Sequence, residues 1–148
     1  MKTLHKMNIL MLEVLNDIVK LEEVFLKKNK FNDISIKELR TIEAINTSTI
    51  RNMGNIAKKL GITVGTLTVC ITNLEKKGYV RREKSLKDRR IVNIKLTEKS
   101  KIMLKSHRKF REDIMIDVLI NLTNQEKEVL SNSLNSLREV LNVRYSNI

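Results

Sequence analysis

The sequence predicts a mainly α fold with one small β-hairpin, on three observations. The chain of 148 residues has no Pro and only four Gly, all between residues 54 and 78, so helix breakers are confined to one central block. On both sides of that block apolar residues recur at three- and four-residue spacing, the period of amphipathic helices. Shortly after it, Val92, Ile94 and Leu96 alternate with Asn93 and Lys95, the period-2 pattern of a half-buried strand.

The first predicted helix covers residues 4–28. Leu4, Met7, Met11, Val14, Ile18, Leu21 and Phe25 make one apolar stripe, and Leu10, Leu12, Leu15, Val19, Val24 and Leu26 widen it beyond what one neighbouring helix covers. After a polar turn over residues 29–33, Ser35-x-x-Glu38 reads as a capping box. It opens a short helix to Asn46 with Leu39, Ile42 and Ile45 facing inward. Asn52 is the N-cap of a two-turn helix carrying Met53, Ile56, Ala57 and Leu60, and Gly61 supplies the permissive backbone for a sharp turn. Thr63 caps the next helix, whose inward face is assigned to Val64, Leu67, Ile71 and Leu74. Two short helices joined by a three- to four-residue turn containing Gly form a helix-turn-helix.

Residues 79–84 pair with the alternating strand and leave 85–90 as an exposed loop, so a β-hairpin wing follows the helix-turn-helix. Thr97 then caps a long helix to about residue 120, and Thr123-x-x-Glu126 is a second capping box opening a last helix through about residue 143. Met103, His107, Phe110 and Ile114 form one stripe; Val129 or Leu130, Leu134, Leu137 and Leu141 form another. The long terminal helices carry more apolar surface than one small winged helix covers. A homodimer that buries them against their copies is therefore expected.

Charge points to a partner. The chain holds 29 Lys+Arg against 17 Asp+Glu, a net +12. Residues 76–111 carry fifteen of those cations against Glu83, Asp88 and Glu98, and so the whole excess; the rest of the chain is balanced. One basic segment on a neutral frame is the footprint of a polyanion binder, although a charge run alone is equally a solvated basic helix. Projection of residues 63–77 at about 100° each leaves Gly65, Thr66, Val69, Thr72, Asn73 and Lys76 outward. Small and hydrogen-bonding side chains of this kind fit a major groove: Thr and Asn bond base edges, Val69 meets a thymine methyl, and Lys76 meets phosphate. In the wing loop, Asp88 pairs with Arg90 and sets the direction of a guanidinium suited to a minor groove of strong negative potential.

Other chemistries are poorly supported. Two His (His5 and His107) and one Cys (Cys70) give no nucleophile-base pair a supported geometry, and no Gly-rich phosphate loop is present. The chain is not expected to be an enzyme or to need a cofactor or metal. His107 on an apolar stripe reads as a core or interface histidine, and Cys70 as a small hydrophobe. Glu13, Asn16 and Asp17 interrupt the apolar run Ile9-Leu10-Met11-Leu12, so residues 1–20 do not read as a signal peptide. No stretch approaches the 18 or so apolar residues of a membrane span. A cytoplasmic setting is expected, with no membrane partner. A nucleoid-architectural or membrane-surface protein using residues 99–111 as a basic amphipathic helix is the alternative; with five aromatics in the chain, single-strand binding is weakly supported.

The helix pair over residues 53–77, the run Leu74-Glu75-Lys76-Lys77-Gly78-Tyr79-Val80, and the wing pattern Asp88-Arg89-Arg90 followed by Leu96-Thr97-Glu98-Lys99 together resemble the MarR family of bacterial winged-helix transcription regulators. The resemblance extends over nearly the whole chain; one departure is Ser100, where that family usually has Gly. It implies a winged helix-turn-helix with long N- and C-terminal dimerisation helices: a DNA-binding lobe at residues 35–96 and a helical dimerisation lobe from 1–30 and 97–148. It also implies that the wing Arg, here Arg90, enters the minor groove. Glu22-Glu23-Val24, Asp33-Ile34-Ser35-Ile36-Lys37-Glu38-Leu39 and Gly65-Thr66-Leu67-Thr68 look most like the fatty-acid-biosynthesis repressor branch, whose co-repressor is long-chain acyl-acyl carrier protein.

The expected function is thus a homodimeric, sequence-specific repressor on a pseudo-palindromic double-stranded operator. Its effector would be a small molecule or acyl-acyl carrier protein. The recognition helix would act through Thr63, Gly65, Thr66, Val69, Thr72, Asn73 and Lys76, and the wing through Lys84, Lys87, Asp88, Arg89 and Arg90. Lys84, Lys87, Arg89 and the Lys/Arg of residues 76–82 are the expected phosphate contacts, and steep salt dependence follows.

Overall fold

A computed structural model describes residues 1–146. In chain order the elements are α1 (Lys2–Lys28), α2 (Ile36–Thr47), α3 (Met53–Leu60), α4 (Val64–Lys76), β1 (Val80–Lys84), β2 (Val92–Leu96), α5 (Glu98–Leu119) and α6 (Asn124–Ser146). They fall into two compact units, Met1–His107 and Arg108–Ile148.

Local capping sets most boundaries. The Ser35 hydroxyl accepts from the Glu38 N–H at 3.2 Å while the Ser35 N–H donates to the Glu38 carboxylate at 2.8 Å, which completes the capping box at the start of α2. Asn52 Oδ1 accepts from the Asn55 N–H at 2.8 Å and starts α3. Gly61 ends it with φ of 65°, a left-handed conformation that a side chain would strain. The three residues 61–63 then lead into α4, where Thr63 Oγ1 accepts from the Thr66 N–H at 3.1 Å. In the second unit, Thr123 and Glu126 form the other capping box.

The core of the first unit is built by Leu39, Ile42 and Ile45 of α2, Ile56 of α3, Leu67, Ile71 and Leu74 of α4, Tyr79, Ile94 and Met103, all fully buried. Burying each aliphatic side chain contributes on the order of 1.5–3 kcal/mol. Val64 departs from the expected inward face of α4, being 48% exposed. It is the first residue of α4, and Cα–Cβ bonds tilt toward a helix N-terminus, so its side chain overhangs the turn at residues 61–63 rather than the core.

β1 and β2 pair antiparallel with Val80 opposite Leu96, Arg82 opposite Ile94 and Lys84 opposite Val92. The sheet has one unexpected addition. Asn52 bridges Asn93, and the Ile94 N–H donates to the Arg51 carbonyl at 2.8 Å, so the chain before α3 lies along β2 and anchors the hairpin to the helix-turn-helix.

Two polar clusters tie this unit together. The Tyr79 hydroxyl donates to Asp33 Oδ1 at 2.6 Å, and Lys99 Nζ reaches Asp33 Oδ2 at 3.1 Å while lying 4.2 Å over the Tyr79 ring. Burial, with Asp33 bonded to it, pushes the Tyr79 phenol up. Burial opposes ionisation of Asp33, but the bonds from Tyr79 and Lys99 outweigh it and bring that carboxyl below its ordinary range.

The second cluster is a closed ring of four groups from three helices. Glu22 of α1 meets Arg40 of α2 at 2.5 Å; Arg40 meets Glu43 at 3.0 Å; His107 of α5 stands 3.2 Å from Glu43 through Nδ1 and 3.3 Å from Glu22 through Nε2. His107 is therefore a core histidine, as its stripe predicts, but one set between carboxylates and beside Phe25. Ser100, the departure from the expected Gly, is fully buried and donates its hydroxyl to the Thr97 carbonyl at 2.9 Å.

Candidate nucleic-acid interface

The outward face of α4 is laid down by the same three-four periodicity that buries Leu67, Ile71 and Leu74. Gly65, Thr66, Val69, Asn73 and Lys76 are exposed along it, together with Thr63 at the cap and Thr68, which the sequence reading did not single out. Thr72 is half-buried, and its hydroxyl is engaged on both sides: it donates to the Thr68 carbonyl at 2.8 Å and accepts from Arg82 Nη2 at 2.9 Å. The Thr66 hydroxyl accepts from Thr63 at 2.9 Å. Gly65 has no side chain, and a Cβ there would meet nothing nearer than Thr63 Oγ1 at 3.9 Å. Its backbone is ordinary, and the missing side chain leaves the surface of α4 open at that point.

The wing loop is ordered by its own short-range bonds. The Ser85 N–H donates to the Ile91 carbonyl at 2.9 Å and closes the loop, and Ser85 Oγ accepts from the Lys87 N–H at 3.3 Å. Asp88 Oδ1 accepts the Arg90 N–H at 2.9 Å and stands 3.5 Å from Arg90 Nε. The guanidinium is therefore directed from its base, while the side chain itself is 94% exposed. Lys84, Lys87 and Arg89 are also exposed, as is the apolar tip residue Leu86.

Not every cation of the basic segment is available to a partner. Lys77 donates to both oxygens of Glu38 at 2.9 Å, Lys95 pairs with Glu83, and Arg82 pairs with Glu75 at 2.6 Å. Glu75 and Arg82 lie seven residues apart across a helix end and a turn. Their opposite charges are visible in the sequence, but the register that brings them together is not. Cys70 donates to Thr41 Oγ1 at 3.4 Å, and burial pushes its thiol up, which suits a packing role on the inner edge of α4.

Among the described residues no cluster of His, Cys, Asp and Glu is arranged to hold a metal ion, and no helix is long and apolar enough to cross a membrane.

A family model described as MarR family matches residues 34–92. The HTH-type transcriptional regulator SarZ of Staphylococcus haemolyticus is 32% identical over 123 residues, spanning 79% of this chain and 82% of that protein. Streptococcus pneumoniae FabT, solved in complex with DNA, gives a TM-score of 0.88 at 32% identity over 93% of this chain and 96% of that one. A MarR family protein from Bacillus stearothermophilus gives a TM-score of 0.80 at 19% identity over 95% of this chain and 96% of that one, a likeness of fold.

Proposed function

The chain belongs to the MarR family of DNA-binding transcriptional regulators, and from that membership we propose that it is a homodimeric repressor. Two copies of α4 enter successive major grooves of a pseudo-palindromic operator while two wings reach the flanking minor grooves. Half-sites then lie about 10 bp apart, centre to centre. The observation that carries this reading is the pairing, within one unit, of an exposed small-polar face on α4 with an outstretched Arg90 aimed by Asp88.

The dimer is supported by the apolar surface each terminal helix leaves in water. Leu4, Met7, Leu10, Val14, Ile18 and Leu21 of α1 are exposed, as are Val129, Leu134, Leu137 and Leu141 of α6. Patches of this size on a lone chain are rare in water, and an isologous contact with a second copy removes them. Residues 35–96 act as the DNA-binding lobe; residues 1–30 and 97–148 act as the dimerisation lobe.

The regulated genes are those of fatty-acid synthesis, with acyl-acyl carrier protein as co-repressor. Support comes from the branch-like stretches around Glu22, Asp33 and Gly65 and from the likeness to FabT. By linkage, such an effector shifts DNA affinity only as far as it discriminates between two dimer geometries.

A mobility shift with DNA from the gene's own promoter and from a fatty-acid synthesis promoter, against excess random DNA, tests both levels. A specific shift that acyl-acyl carrier protein tightens is the expected outcome. Specific binding indifferent to that protein removes the co-repressor and keeps the repressor. Binding fully competed by random DNA overturns the repressor in favour of an architectural protein.

A further inference from the structure

Arg82 stands on β1, yet its guanidinium turns back onto the recognition helix. Nη1 donates to Glu75 Oε2 at 2.6 Å and Nη2 donates to Thr72 Oγ1 at 2.9 Å, with the Thr68 carbonyl 3.4 Å away. The backbone N–H of the same residue donates to the other Glu75 oxygen at 2.9 Å. Thr68, Thr72 and Glu75 follow one another at steps of four and three, so they share one face of α4. Bonds from the Arg82 backbone and then its side chain hold the Glu75 carboxyl below the usual carboxylate range. The Arg82 side chain is 30% exposed, with both terminal nitrogens bonded to α4.

The geometry points to Arg82 as a positioning residue for DNA recognition: it clamps β1 to the Thr68–Thr72–Glu75 edge of α4 and thereby sets the angle at which the wing leaves the recognition helix. This rests on the reading of α4 and the wing as the DNA-contacting surface. Strands rise roughly 3.3 Å per residue, so the wing loop lies more than two such steps beyond the clamp. Small rotations at Arg82 become displacements of ångströms at Arg90. Recognition elements must be held to within about 0.5 Å and 10–20° to act together. The same bonds turn the Arg82 guanidinium toward α4 rather than outward to phosphate, and they take up the Thr72 hydroxyl as donor and as acceptor.

The test uses the dimer of the 148-residue chain with Arg82→Met, Glu75→Gln and the double variant, titrated against operator and random duplex over a range of salt. Each single variant should lose about tenfold or more in operator affinity, random-DNA affinity should hold, and the salt slope should not change. The double variant should be no worse than either single one. If Arg82 instead touches phosphate, Arg82→Met weakens both DNAs and lowers the salt slope by about one, while Glu75→Gln, which removes a negative charge near the DNA, fails to weaken binding; that pattern overturns the assignment.

A second measurement needs no DNA. Spin labels at Leu86→Cys and Lys58→Cys in a Cys70→Ser background, with labelled chain diluted into unlabelled chain, report the distance from wing to helix-turn-helix. Arg82→Met should broaden a narrow distribution, and an unchanged distribution overturns the clamp even if the DNA reading itself fails.

Discussion

Replacing Arg90 by alanine should weaken operator binding by about 1–3 kcal/mol, or about 5- to 150-fold, and relax sequence preference at the flanking minor-groove positions. The side chain is almost wholly exposed and, among the described residues, is paired with Asp88, so its removal leaves the fold and the thermal midpoint unchanged. Lys87→Ala is the informative control. It is exposed on the same loop, and as a phosphate contact its loss should weaken operator and random DNA alike and reduce the salt slope by about one. Titration of both variants at several salt concentrations separates the two roles. An Arg90→Ala protein that binds operator like wild type would remove the wing from the recognition surface.

Replacing Arg40 by methionine should destabilise the protein by about 3 kcal/mol, because removing one partner strands a buried charge. The Glu22 carboxylate is only 3% exposed and takes its shortest contact from Arg40. Arg40 is itself 40% exposed, so the loss reflects Glu22 deprived of its shortest ionic contact more than the packing of the guanidinium stem. Glu22→Gln in the same background should therefore restore most of the stability. Urea denaturation at matched chain concentration measures both, since the apparent stability of a self-associating chain depends on concentration. If Arg40→Met costs as much with Gln at position 22 as with Glu, the two residues are not coupled and the ring does not hold α1 to α2.

Features written in adjacent residues were legible in the sequence. Ser35 with Glu38, Asn52, Thr63, Gly61 and Thr123 with Glu126 each mark a helix end through bonds spanning three or four residues, and the alternation from Val92 to Leu96 located the strand. The inward face of α4 was legible from its second turn onward; Val64 failed because periodicity carries no information about where the packing partners stop. The bridge of Asn52 to Asn93 covers too few residues to leave any period.

Clusters assembled from distant residues were not legible. Arg40 and Glu43 share one turn of α2, but Glu22 and His107 come to them from two other helices, and nothing local distinguishes Glu22 from the exposed Glu23 beside it. The candidate interface divided in the same way. Helical projection found the exposed face and the loop motif found Arg90, whereas the engagement of Thr72 and Arg82 depends on the register of β1 against α4. Charge counting treated Arg82, Lys77 and Arg90 as equals, whereas against their carboxylates the first two side chains are about one-third exposed and Arg90 is 94% exposed.

Selection of bound duplexes from a random pool by the 148-residue chain, followed by sequencing, tests the central claim most directly, because it presumes neither promoter nor effector. The account predicts enrichment of an inverted repeat with half-sites about 10 bp apart, bound by two chains per duplex and lost as salt rises. A pool that stays random after selection, or a single enriched half-site bound by one chain, would contradict it.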